Sequence, residues 1–347
     1  MTTAPNSNKP DPDAAEFLNV LSSHTLLLRA IVSLAERGIA DQLGTGPATA
    51  EELAARDELH APTLYRLLRF VASYGFFRED DAGRFHLTPR ANALRSEVPG
   101  SLRDRLRGPW QDLLWQSYAR LPDMLRTGEP AFDQAHGQPF FDYLAAQPAV
   151  NALLDRNMAR VSDGENTLIA GAYDFTPYRR IVDIGGGQGG LLAAILDRYP
   201  DSRGIIFDQP QVVAAPEGLA DSRFSGRWES APGDFFRSIP PAGDVYLLKR
   251  ITHDWDDGQV LSLLKNCRAV LREDARLLII DAIMATGNEP DANKFMDVNL
   301  MVLTSGRERT ESEFRQLTEQ AGMQVRHVIS LPPPATLSVV DVALPRK

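Results

Sequence analysis

One cysteine in 347 residues, Cys267, excludes an internal disulfide and points to a reducing compartment, the cytosol. A basic surplus is missing too. Lys and Arg number 37 against 46 Asp and Glu, a net charge of -9, whereas phosphate recognition ordinarily shows as an excess of positive charge. No nucleic-acid partner is expected. Apolar runs are interrupted by charges before the roughly 20 residues of a membrane span, so no membrane partner is expected either. The opening MTTAPNSNKPDPD is polar and proline-bearing, unlike a secretory leader, and residues 1–13 read as a disordered tail. There is no HxH, no HExxH and no Cys/His cluster, so no metal is expected.

What is there falls into two halves. Residues 14–150 read as nearly all helix. Leu18, Leu21, Leu27, Ile31 and Leu34 recur at three- and four-residue spacing. Thr49 with Glu52 marks a capped helix start, and Gly75 is placed to end the helix in APTLYRLLRFVASYG. FFREDDAGRFHLTP then reads as a hairpin turning at Asp81, Ala82 and Gly83. Two helices and a hairpin make a winged-helix-like pattern. Further helices are expected over about 101–126 and 138–172, parted by the loop TGEPAFDQAHGQP.

Residues 151–347 change character after the long helix. RIVDIGGGQGG, RGIIFD, GDVYLLKR and ARLLIIDAI are short apolar strands separated by helical patterns, which predicts a parallel, Rossmann-like α/β sheet. MQVRHVISL and TLSVVDVAL flank PPPA and should close the sheet as an antiparallel hairpin.

The glycine loop sits at a strand-to-helix junction, where open α/β sheets bind ligands. Gly185, Gly187 and Gly190 fit a dinucleotide fingerprint, while Gly185, Gly187 and Gly189 fit the GxGxG of methyltransferases. Asp183 favours the second. A carboxylate there repels a pyrophosphate but attracts the ammonium and sulfonium of S-adenosylmethionine. Its plainer reading is a cap on the following helix. Asp208, at the end of the next strand, suits ribose hydroxyls under either reading. Asp234 and Phe235 suit an adenine, by hydrogen bond and ring packing.

LLKRITHDWDDGQVLSLLKNC carries the most chemistry. His253 falls between a strand end near Arg250 and a helix start near Asp256, on the ligand side of the sheet. Its ordinary pKa of about 6.5 suits a general base. Taken in order, VDIGGGQGG, GDFF, LLKRITHDWDD and SGRERTESEF resemble the plant caffeate and isoflavone O-methyltransferase family and its bacterial natural-product relatives. TLYRLLRFVASYGFF and RFHLTP resemble that family's amino-terminal dimerisation domain.

The resemblance implies a class I methyltransferase sheet behind a helical dimerisation domain, a homodimer, and S-adenosylmethionine as cofactor. S-adenosylhomocysteine would be the product, and the acceptor a hydroxyl on a small aromatic molecule. It makes His253 the base, with Asp281 and Glu308 the acidic residues flanking it. Asp208, Asp234, Phe235 and Lys249 become cofactor contacts, and Met158 lines the transfer pocket. Asp155 departs from the Asn often found in the family. Phe140, Phe141, Tyr143, Met296, Asn299 and Met301 are candidates for the pocket wall, adaptable Met suiting a flat ring. Helical core is the alternative for these positions. Asp281 can equally be a strand-end residue held by amides, Glu308 a solvated helix start and Lys249 a strand-end cation. Two other functions stay open: same-fold enzymes with non-methylating chemistry, and a winged-helix regulator, although Arg66 and Arg69 lie in a helix dominated by apolar residues.

Overall fold

The computed structural model describes residues 13–106, 109–214 and 216–346, and they form two compact units, up to Asp112 and from Leu113 onward. In the first unit, the helix Ala14–Glu36 stops where Gly38 takes a left-handed φ of 63°, and the chain restarts as Ile39–Leu43. Thr49 and Glu52 form the reciprocal cap expected at the head of Ala50–Arg56. Ala61–Ala72 follows, then a hairpin of strands β1 (Phe77–Glu79) and β2 (Phe85–Leu87). Leu53, Leu68, Val71, Phe77 and Phe85 are buried together between these elements.

The second unit opens with short helices where long ones were expected. Helices Leu121–Thr127, Ala131–His136 and Phe140–Ala146 are cut by Gly128 and Gly137, both left-handed, and by Pro130 and Pro139 at the next helix starts. The expected loop after Thr127 thus contains a helix of its own. Pro148–Ala172 is continuous and leads into the sheet.

That sheet contains β3 (Arg180–Ile184), β4 (Arg203–Asp208), β5 (Trp228–Pro232), β6 (Val245–Lys249), β7 (Arg276–Ala282), β8 (Gln324–Ser330) and β9 (Leu337–Ala343). The order is β5-β4-β3-β6-β7-β9-β8, with the first five parallel and β9 antiparallel to both neighbours. β3, β4, β6 and β7 are mainly apolar without alternation because both faces are covered, whereas β5, at the sheet edge, is largely exposed. Ile181, Leu247 and Leu278 meet the helix Gly190–Arg198, while Val182, Leu248 and Ile279 meet the helix Asp257–Val270. Cys267 is buried in the latter core, where burial pushes its thiol up to about 12, so it behaves as a small hydrophobe.

Successive strands leave β3 in opposite directions, β4 to one side and β6 to the other. The carboxyl ends of β3 and β6 therefore flank a topological switch point, the place where such sheets hold ligands.

Candidate active site

All seven of the expected cofactor residues stand at or just beyond the carboxyl ends of β3, β4, β5 and β6. After Asp183 the chain turns through Gly185, Gly187 and Gly189, with φ of 68°, 56° and 79°, values that L side chains rarely adopt. Gly185 N–H bonds the Phe207 carbonyl at 2.8 Å and Gly187 N–H the Asp208 carboxylate at 3.0 Å, which ties the turn to the end of β4. Space beyond Gly187 is open.

Gly189 precedes the helix Gly190–Arg198 as its cap residue, but the Asp183 carboxylate accepts a backbone hydrogen bond from Leu192 in the first turn of that helix, so Asp183 serves the helix start as well. It is buried, and its Oδ2 has no hydrogen-bond partner among the described residues. Burial raises its pKa to about 7; Lys249 pulls it down and Asp208 adds to the rise. Lys249, one strand away on β6, donates to Asn166 Oδ1 at 2.7 Å and sits 3.7 Å from Glu165. Its ammonium is lowered to about 8 by burial, against the pull of Glu165. Glu165 also takes the Arg250 guanidinium in two bonds, of 3.2 and 2.6 Å. Asn166, Glu165 and Arg250 escaped the sequence reading. Only the φ of 52° at Arg250 marks them locally, and no sequence pattern announces it.

Asp234 and Phe235 follow β5. Asp234 bonds Phe236 N–H at 2.8 Å and is half exposed, while Phe235 packs edge-on against Phe236 and Trp255.

His253 lies in a single 3₁₀ turn, Thr252–Asp254, between β6 and the capped start of the helix Asp257–Val270 at Asp256. It is buried, with Nδ1 3.1 Å from Glu308 Oε1 and Nε2 3.7 Å from Asp254 Oδ1. Burial disfavours the imidazolium, but Asp254, Asp281 and the Glu308 hydrogen bond outweigh it and raise the pKa to about 9. Asp281 reaches the histidine indirectly. Its Oδ2 accepts from Thr252 N–H at 3.1 Å and Thr252 Oγ1–H at 2.5 Å, so it holds the residue before the base rather than the ring. Its own pKa is raised by burial. Glu308 is no solvated helix start: its carboxylate is buried, and the reciprocal cap one turn on belongs to Thr310 and Glu313.

The pocket candidates divide. Phe141 stacks on Trp255 with centroids 5.6 Å apart, which brings it to the turn carrying His253. Met296 and Asn299 share one face of the helix Ala292–Leu303 at three-residue spacing. Asn299 accepts from Tyr118 Oη at 2.9 Å. Phe140 is buried against Phe132, part of the short-helix packing. The side chains of Asp155 and Met158 lie outside the described residues.

Many known proteins match this chain in sequence and fold. Residues 118–324 match the model of the O-methyltransferase domain, and residues 21–97 that of the O-methyltransferase dimerisation domain. A phenazine O-methyltransferase of Lysobacter antibioticus is 38% identical over 310 residues, covering 88% of this chain and 89% of that one. The solved mitomycin 7-O-methyltransferase superposes with a TM-score of 0.88 at 35% identity, covering 96% of this chain and 98% of that one. An O-methyltransferase of neocarzinostatin biosynthesis, solved with S-adenosylhomocysteine and 1,4-dihydroxy-2-naphthoic acid, gives a TM-score of 0.82 at 30% identity, covering 92% and 96%.

Proposed function

The chain belongs to the O-methyltransferase family and is an S-adenosylmethionine-dependent methyltransferase; on that premise we propose that its acceptor is a hydroxyl on a small fused or substituted aromatic ring, with His253 as the base. The observation that carries this reading is the 3.1 Å contact between His253 Nδ1 and Glu308. With Nδ1 held by a buried carboxylate, the imidazole keeps one orientation, and Nε2 is left as the proton acceptor. Asp254 beside Nε2 stabilises the imidazolium formed on proton uptake.

The cofactor edge has the chemistry this donor needs. Asp183 presents an unpartnered buried carboxylate oxygen, suited to a cationic group and poorly suited to a pyrophosphate. Asp208 would take ribose hydroxyls, and Asp234 with Phe235 the adenine. When bound, S-adenosylmethionine supplies an already activated methyl on a sulfonium. The protein's share is then to desolvate the acceptor, align its oxygen and take its proton. Alignment of this kind is worth roughly 7–11 kcal/mol at its best. Phe141, Met296 and Asn299 would line the acceptor side, a mixture of ring, soft sulfur and amide suited to a flat molecule with polar edges. The working unit is a homodimer through the dimerisation domain.

Calorimetric titration with S-adenosylhomocysteine and, separately, NADH tests the cofactor. Turnover of phenolic, phenazine and naphthoate acceptors, each beside its amine analogue, tests the rest. Micromolar binding of the homocysteine compound with O-methylation lost in His253→Ala is the expected result. Preference for NADH, methylation of amines alone, or full activity of His253→Ala would overturn the corresponding part of the proposal.

A further inference from the structure

The loop Gly306–Arg309 meets the turn bearing His253 at three points, and Glu308 is only one of them. Gly306 lies flat against the backbone of that turn. A Cβ at this position would collide with the His253 carbonyl oxygen and stand 2.5 Å from Asp254 C and 2.7 Å from Asp254 Cα. These are backbone atoms, so neither residue can swing aside as a side chain would.

Arg309 holds the same turn from its ends. Its side chain is fully buried, donating from Nη1 to the Thr252 carbonyl at 2.7 Å and from Nη2 to the Trp255 carbonyl at 2.8 Å. Those two carbonyls bracket His253 and Asp254. The Asp257 carboxylate balances the charge, accepting from Nε at 3.0 Å and from Nη2 at 2.8 Å. The loop itself is anchored, because the Arg309 carbonyl accepts from Met284 N–H at 2.9 Å just beyond β7. A buried guanidinium is a demanding way to fill space, since a well-packed apolar side chain often serves stability as well. Its planar fork is suited to fixing two carbonyls at once.

We propose that Gly306 and Arg309 are positioning residues for His253, fixing the backbone on both sides of it so that the ring keeps Nδ1 against Glu308 and Nε2 toward the acceptor. The inference rests on the reading of His253 as the base, and it assigns the whole Gly306–Arg309 loop to one task. Gly306 permits the close approach, Glu308 orients the ring, and Arg309 pins the turn.

The test uses the full-length protein with ring-labelled histidine, in wild type, Gly306→Ala and Arg309→Lys. The His253 ring titration and tautomer are followed by NMR, assigned with His253→Ala, beside kcat, KM, S-adenosylhomocysteine affinity and Tm. Displacing the base by about 1 Å should cost on the order of 100-fold in kcat. The homocysteine compound should bind as in wild type, and the ring's midpoint should fall toward the ordinary value of about 6.5. Introduced into His253→Ala, Gly306→Ala should lower kcat no further, because both act through one group.

Folded variants whose His253 titrates as in wild type would overturn the inference, as would a full additional loss in the His253→Ala background. Should Gly306→Ala fail to fold, Arg309→Lys carries the same readouts. Asp257→Asn, at a half-exposed carboxylate, loosens the guanidinium more gently. An active His253→Ala would sink the general-base reading instead, and the ring titration alone would then decide whether the loop holds the histidine.

Discussion

Glu308 Oε1 lies 3.1 Å from Nδ1 of His253, although 55 positions separate them in the chain. Because the carboxylate is buried and its other oxygen has no partner among the described residues, its charge is directed at the imidazole. His253→Ala is expected to lower kcat by about 10²–10⁴-fold, the range for a lost general base. Glu308→Gln keeps the shape but can present its NH₂ to Nδ1, favouring the wrong tautomer, so a loss approaching that of His253→Ala is expected. Steady-state kinetics on one confirmed acceptor check both, with binding of S-adenosylhomocysteine unchanged.

The pH profile should carry the mark of the surrounding carboxylates. A base works in its neutral form, and the pKa of His253 is raised to about 9. The rate should therefore climb through neutral pH and level only above about 9, rather than near 6.5. Asp254→Asn removes the largest of the charges that oppose burial and should move the midpoint down. Stability runs the other way. A histidine raised in the folded state stabilises fully below its unfolded pKa of about 6.5, and that contribution is lost as pH rises through 9. A wild-type rate midpoint near 6.5 would contradict the assignment.

Asp183 sets function against stability in the same sense. Burial raises its carboxyl to about 7, so the folded state prefers the protonated form. The sign follows directly: this group's stabilisation is present below its unfolded pKa and is lost as pH rises through about 7. Asp183→Asn should raise the Tm of the free protein at pH 8 and make it less sensitive to pH. The same change should weaken S-adenosylmethionine binding by about tenfold or more, as expected for losing a charge-assisted hydrogen bond. Thermal melts with and without cofactor would show both effects in one series.

Local chemistry explains which features could be foreseen. The glycine turn, the caps at Thr49, Asp256 and Thr310, and the short strands depend on near neighbours, and each leaves a pattern in the chain. The family resemblance located His253 and Glu308 as a pair, although they meet only in the folded state. Asp281 shows where that reasoning stops: the resemblance placed it beside the histidine, but only the register of β7 directs it to Thr252. Tyr118 and Asn299, 181 positions apart, and Glu165 with Arg250, 85 apart, had no local signal at all. Periodicity reports which face of a helix is apolar and is silent on which partner that face meets.

The Glu165 carboxylate is a strong test of the buried charges behind the cofactor edge. It is the counter-charge to both Lys249 and Arg250, and all three side chains are nearly buried. Glu165→Gln would remove the one carboxylate that both cations contact, leaving Lys249 with Asn166 and the charge of Asp183, and Arg250 with the charges of Asp281 and Glu308. Breaking a buried pair in this way costs about 3–5 kcal/mol. Urea titration should show that loss, and Lys249→Met in the same background should recover part of it, because one of the two cations is removed. A cost below about 1 kcal/mol, typical of a surface pair, would mean that water reaches the cluster freely.

The helix Ala14–Glu36 bears on how the dimer is held. Leu27, Ile31 and Leu34 face its own unit, while Phe17, Leu18 and Leu21 are left exposed, Leu18 at 63% and Leu21 at 47%. The helix is also long enough, with a mean hydropathy of 1.4, to cross a membrane by composition alone. An exposed apolar face on a helix that runs into the matched dimerisation domain, residues 21–97, argues for a second copy as its cover. In a twofold interface each substitution is present twice. Fully burying a leucine is worth about 1.5–3 kcal/mol, so Leu18→Glu with Leu21→Glu should weaken association by several kcal/mol, or at least about 1,000-fold. Light scattering at micromolar concentration should then report half the wild-type mass, with the first unit's helical circular dichroism retained. Wild-type protein that is already monomeric, or that pellets with liposomes through this helix, would assign the apolar face to a different partner.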